Sequence, residues 1–229
     1  MRQIRFDEKA CRERLQAGVE QLAISLSGSQ MDQLIHYLAL LHKWNKAYNL
    51  TAVRDPLEMV SRHLLDSLAV LPYFNTRSCL DMGTGAGLPG IPLAILCPRT
   101  RFVLLDSNSK KVRFLRQVIL ELGLDNVTAV HARLEALNAE EPFPTLISRA
   151  FTDLPNMLQL ASALMHPGCE LLAMKGRVPD SEITALPPDY DAEIRPLQVP
   201  FCDAERCLVR IRRKNCPQAE TTRGAEDTV

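Results

Sequence analysis

Ser78-Cys-Leu-Asp-Met-Gly-Thr-Gly-Ala-Gly-Leu-Pro-Gly90 begins as a short apolar run and then breaks into glycines. The apolar part has the length of a buried strand, and the glycine-rich part has the composition of a turn opening a helix. Four of the ten glycines in the chain, Gly83, Gly85, Gly87 and Gly90, fall in this stretch. One or two would suffice to turn the chain. More than that lets the backbone take positive φ and lets a ligand approach with no Cβ in the way. The stretch is therefore predicted to hold a ligand.

Downstream, apolar runs alternate with helical periods. Strands are predicted over 78–82, 101–106, 127–131, 144–148 and 169–174, with helices near 89–97, 109–122 and 154–166. Alternation with short connections implies a doubly wound, mostly parallel sheet covered on both faces, an α/β fold that binds its ligand at the carboxyl ends of the strands. Residues 191–199 and 206–213 read as an antiparallel pair closing one edge, with Arg210, Arg212 and Arg213 on an edge strand where charge blocks aggregation. Upstream there is no strand signal. A helix is expected over 7–26, a second is capped by Ser29 and striped by Leu34, Ile35, Leu38, Leu41 and Trp44, and a third runs from Asp55-Pro56 to about Leu71. The chain thus divides into an N-terminal helical cap (1–74), an α/β domain (75–214) and a polar tail (215–229) expected to be disordered.

Composition narrows the function classes. Lys plus Arg and Asp plus Glu are 27 each, so any nucleic-acid surface must be local. The N-terminus is charged and lacks an apolar h-region, and no apolar run reaches the length of a membrane span. Seven cysteines with no C-x-x-C pair read as thiols in a reducing cytoplasm, with neither a zinc site nor a disulfide framework. A cytoplasmic protein with no metal and no membrane partner is expected, and in the absence of a large exposed apolar stripe, a monomer.

Two templates fit the glycine turn. Gly85-x-Gly87-x-x-Gly90 satisfies the dinucleotide fingerprint, with Asp106 ending the next strand. Asp81 followed by Gly83-x-Gly85-x-Gly87 fits the loop of S-adenosylmethionine-dependent methyltransferases equally well. Pro89 and Pro92 remove two N–H donors where a pyrophosphate would need them, which favours the methyl donor. Asp106 can serve a ribose in either template, so an NAD-dependent oxidoreductase remains the alternative.

Several blocks reach beyond the turn: LHKWNKAYNLTAVRDP (41–56), RHLLDSL (62–68), LDMGTGAGLPGIPLA (80–94), LLDSNSKKVRFL (104–115), ISRAF (147–151) and MKGR (174–177). Through them, over about residues 30 to 213, the chain resembles the RsmG/GidB family of bacterial 16S rRNA methyltransferases. The resemblance implies a class I, Rossmann-like fold and transfer of a methyl group from S-adenosylmethionine to N7 of a guanine in 16S rRNA or the small ribosomal subunit. It implies cofactor contacts at Gly83, Leu88, Leu134, Glu135 and Arg149, with the last two blocks bordering the cleft. Asp106 joins them as the ribose partner from fold logic.

N7 of guanine carries a free lone pair at neutral pH, so no general base is required and no catalytic proton-transfer residue is expected. Placement should supply most of the rate. For RNA, the candidates are Lys46 in the cap, Lys110, Lys111, Arg113 and Arg116 on one helix, and Lys175 and Arg177 after the fifth strand. The helical four read equally as a solvated face. Trp44 and Tyr48 read as cap packing, His63 and Asp66 as fixing the cap's geometry, and Arg149 could pair with Asp153.

Overall fold

The computed structural model describes residues 5–137 and 141–214, so the expectation for the 215–229 tail lies outside the described residues. Strands β1 (Ser78–Met82), β2 (Arg101–Asp106), β3 (Val127–His131), β4 (Thr145–Arg149), β5 (Glu170–Lys175), β6 (Tyr190–Pro196) and β7 (Cys207–Arg213) form one sheet. Their order is β3-β2-β1-β4-β5-β7-β6. The first five are parallel, and β7 runs antiparallel to both β5 and β6. From β1 the chain winds outward through β2 and β3, then crosses back to place β4 on the other side of β1. That reversal opens a crevice at the carboxyl ends of β1 and β4.

Burial follows position. All five residues of β1 are buried because the strand is flanked on both sides and covered on both faces. Edge strand β6 has no buried residue. The three arginines near the chain's end are therefore not on an edge, as expected from sequence; β7 lies inside. Arg210 and Arg212, two apart and on one face, converge on the buried Glu170 of β5 at 2.6 and 2.8 Å. The sequence marks the strand pair but not its lateral order. Strand β7 takes the inner place because it is the more apolar of the two, with Cys207, Leu208, Val209 and Ile211 buried.

The helices are α1 (Glu8–Gln21), α2 (Gly28–Tyr48), α3 (Pro56–Met59, continuing through a π-helical stretch, Val60–Leu65, into Asp66–Leu68), α4 (Gly90–Leu96), α5 (Ser109–Leu122), α6 (Leu154–Ala161) and α7 (Asp180–Thr184). Ser27, not Ser29, caps α2. Its hydroxyl accepts from Gln30 N–H while the Gln30 side chain accepts from Ser27 N–H, a reciprocal box that starts the helix at Gly28, one position before Ser29. Asp55 caps α3 with Pro56 in its first turn, as expected.

Helices α1 to α5 share a continuous apolar core with one face of the sheet, in which Leu34, Leu38, Leu64 and Leu68 join Ile91, Phe102 and Phe114. Trp44 stacks on Tyr48 and leans on Phe114 of α5, so the aromatic pair packs the N-terminal helices onto the domain. The other face is closed by α6, through Leu154, Met157 and Leu158. No helix among the described residues is long and apolar enough to cross a membrane.

Candidate active site

The glycine turn leaves β1 with φ of +65° at Gly83, +63° at Gly85 and +92° at Gly87, the left-handed region that glycine enters without penalty. Two of these positions serve different ends. A Cβ on Gly83 would lie 2.4 Å from the Phe151 ring, so packing and backbone both demand glycine. A Cβ on Gly85 would meet only Gly83 carbonyl at 3.9 Å and Lys111 Nζ at 4.0 Å, ordinary contacts, so packing does not demand glycine there. The Gly83→Ala variant is expected to lose about 2–4 kcal/mol of stability from strain plus overpacking. Gly85→Ala should lose about 1 kcal/mol and weaken cofactor binding severely; urea unfolding and calorimetry with S-adenosylhomocysteine separate the two.

Neighbouring elements hold the turn in place. The buried Asp81 accepts from Thr84 hydroxyl at 2.6 Å and from Gly90 N–H at 2.9 Å. Tyr37, buried in α2, donates its hydroxyl to Ala86 carbonyl at 2.8 Å, a contribution of the N-terminal helices that sequence reasoning missed. Asp106 ends β2 with one carboxylate oxygen accepting from Gly85 N–H at 2.9 Å and the other from Asn108 N–H at 2.8 Å; Lys111 stands 3.5 Å away.

The same bonds weigh against a dinucleotide. At the start of α4, Gly90 N–H is taken by Asp81 and Ile91 N–H by Gly87 carbonyl, while Pro89 and Pro92 have no N–H. The first turn therefore offers no cradle for a pyrophosphate.

In front of the turn lies a cleft of about 480 Å³, walled by the turn, by Arg149 and Ala150 after β4, by Met174 to Gly176 after β5, and by Leu50, Thr51, Val53, Arg62, His63 and Asp66 from the N-terminal helices. Asp66 organises its mouth. Buried in α3, it pairs with Arg149 Nη1 at 3.0 Å and with Arg206 Nε at 2.9 Å, while Arg149 also donates to Arg62 carbonyl. Arg149 therefore meets Asp66 and not Asp153, whose carboxylate caps α6 through Asn156 N–H. One carboxylate ties together α3, the end of β4 and the segment leading into β7. Arg206 carries no motif of its own in the sequence, and Thr51 lies in the 41–56 block with nothing to mark it as a partner of His63; only the fold brings them here.

His63 is buried beside this clamp. Its Nδ1–H donates to Arg62 carbonyl at 2.9 Å, so Nε2 accepts from Thr51 hydroxyl at 2.9 Å. Burial first, and the nearby Arg149 charge second, lower its pKa to about 4. Burial pushes Asp81 the other way, up to about 6, against the two hydrogen bonds that favour its charged form. The signs oppose. A depressed histidine adds stability above its ordinary pKa that is lost as pH falls toward 4, whereas a raised carboxyl removes stability as pH rises toward 6. The difference in unfolding free energy between wild type and His63→Asn isolates the imidazole and should grow by about 3 kcal/mol from pH 4 to 6.5. A flat difference would mean the ring is not shielded from water.

The fold brings Gly83, Leu88, Lys111, Arg149 and Lys175 into the wall of the cleft, with Asp106 bonded to its floor at Gly85. Leu134 and Glu135 lie in a 3-10 turn after β3, with Leu134 buried in the far core and Glu135 exposed. Lys175 is engaged within the wall, donating to Thr152 carbonyl at 2.8 Å and pairing with Glu182 at 2.7 Å. Lys110, Arg113 and Arg116 are exposed on α5, Lys46 is exposed near the end of α2, and Arg177 is exposed beyond β5. Among the described residues no group of three or more acidic, histidine or cysteine side chains is placed to hold a metal ion.

These residues fit S-adenosylmethionine. Gly85 leaves open a space that a Cβ would fill, and Asp106 stands beside it with lone pairs left on both oxygens for a diol.

The comparisons agree with this geometry. The glycopeptide N-methyltransferase MtfA superposes with a TM-score of 0.57 at 12% identity, over 69% of this chain and 98% of that one, a likeness of fold alone. Two relatives bear the name ribosomal RNA small subunit methyltransferase G. The protein of Marinobacter nauticus is 54% identical over 87% of this chain and 94% of its own length. That of Escherichia fergusonii is 50% identical over 87% and 97%. Residues 30–209 match the family model for rRNA small subunit methyltransferase G. The fold is thus that of a class I methyltransferase, and the chain belongs to the GidB family of small-subunit rRNA methyltransferases.

Proposed function

We propose that the protein methylates N7 of a guanine in 16S rRNA, with S-adenosylmethionine as donor. The observation that carries the reading is the shared cleft. Its inner end has the glycine turn and Asp106, suited to a nucleoside with a ribose diol, and its outer end is built by Arg62, Arg149 and Arg206. Asp66 offsets one of those charges and Glu58, 3.7 Å from Arg62, a second, leaving one positive charge in excess at the mouth, suited to an RNA backbone.

When bound, S-adenosylmethionine supplies an electrophilic methyl group on a sulfonium. The chain's own residues would hold and orient. Gly83 and Leu88 would wall the cofactor, Gly85 would leave room for it, Asp106 would accept from its ribose, and the Leu134 backbone N–H and Glu135 carboxylate, beyond the cleft wall, would meet its adenine edge. Because N7 has no proton to lose, no side chain needs to act as a base. His63, neutral and bonded on both nitrogens, serves as a brace. Leu50, Val53 and Leu197 offer apolar walls to a purine beyond the cofactor. The candidates for phosphate contacts are Lys111 and Lys175 in the cleft wall and Lys46, Lys110, Arg113, Arg116 and Arg177 outside it.

The test is incorporation of labelled methyl into small-subunit rRNA, offered naked and as assembled subunits, lacking the modification. A single N7-methylguanine is the expected product. Binding of S-adenosylhomocysteine without methyl incorporation into either form would overturn the rRNA assignment, and stabilisation by NAD instead would overturn the cofactor.

A further inference from the structure

We propose that Phe201 and Arg14 form a platform on which a base of single-stranded RNA stacks beside the cleft mouth. The proposal rests on the rRNA reading above and names a surface that reading does not use. Phe201 lies in the connection between β6 and β7 with φ +60°, a conformation that bulky side chains rarely adopt, and its ring remains 45% exposed. Strain of this kind, held by an aromatic residue facing solvent, gathers at binding sites. Leu120 is more exposed at 77%, yet it sits on a regular helix and carries no such strain.

The Arg14 guanidinium lies over the Phe201 ring, 4.8 Å from its centre. Arg14 is itself fixed, since its Nε donates at 2.9 Å to the hydroxyl of Ser61, a buried residue in the π-helical part of α3. Helix α1 is seated on that part at Gly18, where a Cβ would collide with Leu65. No carboxylate among the described residues lies within ion-pairing distance of Arg14, so its charge is free for a phosphate. The other side of the platform is anchored too. Leu197 N–H donates to Arg206 carbonyl, closing the base of the connection, and both residues line the cleft.

A rigid aromatic face, a stacked guanidinium and a cationic mouth suit an unpaired nucleotide next to the one that enters the cleft. One ring does not supply the contiguous apolar patch of several hundred Å² that a protein partner needs.

The test uses the full chain and unmodified small-subunit rRNA, in whichever form the wild type methylates. Phe201→Gly should raise KM for RNA about tenfold, the scale of one lost base stack. It should leave kcat and S-adenosylhomocysteine affinity unchanged, and it should not lower the melting temperature, because glycine adopts this φ freely. Phe201→Trp should restore KM, and Arg14→Gln should raise KM and flatten its salt dependence. An unchanged KM in Phe201→Gly with an active wild type overturns the platform alone. So does a KM rise matched by lost cofactor affinity and a lower melting temperature, which would mark a structural role. A wild type inactive on every rRNA form overturns the reading beneath it.

Discussion

Asp106→Ala is expected to weaken binding of S-adenosylhomocysteine about a hundredfold or more in calorimetry. The carboxylate is buried to 6% exposure at the end of β2, bonded to Gly85 and Asn108 N–H, and so held against the backbone of the glycine turn. Two hydroxyls of a ribose donating to it would make charge-assisted bonds of roughly 1.5–3 kcal/mol each, so losing both removes at least about 3 kcal/mol. That is two decades of affinity. The fold should suffer less, by about 1–2 kcal/mol, since the two backbone donors lose a partner at the edge of water. An Asp106→Ala protein that still binds with wild-type affinity would remove the carboxylate from the proposed cofactor site.

Asp66→Ala should cost the fold more than Asp106→Ala does. Asp66 is 3% exposed and holds two guanidiniums that are each about one-fifth exposed. Breaking a buried pair by deleting one partner leaves charge without compensation, at a cost of about 3–5 kcal/mol when burial is complete. Both arginines retain some water here, so about 2–3 kcal/mol is expected in denaturant unfolding. Function should fall further than stability. Arg149 and Arg206 would be free to leave the cleft mouth, and kcat/KM for RNA should drop at least about tenfold at a temperature where the variant is fully folded. Asp66→Asn keeps the shape and loses the charge, and should sit between. Unchanged unfolding in Asp66→Ala would show that the clamp contributes nothing to stability.

Much of the architecture is legible in the sequence because parallel sheets write themselves plainly. Every parallel strand is a short apolar run of five or six residues, and the crossover helices have their own period. The glycine turn is equally plain, since positive φ at Gly83, Gly85 and Gly87 excludes most other residues. Errors fall where two local solutions are nearly equal. Ser27 and Ser29 are both good caps, and only the reach of Gln30 separates them. The two closing strands are both visible, but their lateral order is a matter of which one the sheet buries.

The candidate site divides along the same line. Chain order alone places Gly83, Leu88, Asp106 and Arg149 at the carboxyl ends of parallel strands, because alternating topology puts every strand's end on one side. The partners of those residues are set by packing between segments far apart in the chain. Tyr37 reaches Ala86 across 49 residues, Asp66 reaches Arg149 across 83 and Arg206 across 140, and Arg14 meets Phe201 from opposite ends of the protein. None of these pairs has a local signature. A buried carboxylate recruits whichever cation the tertiary structure brings within reach, and a ring stays exposed only if the fold gives it no pocket. The glycine pattern and the strand rhythm determined a parallel sheet with a glycine turn at the carboxyl end of its first strand. The three-dimensional packing of the N-terminal helices against that end decided which charges guard the cleft, because long-range electrostatics depends on distance in space and not in sequence.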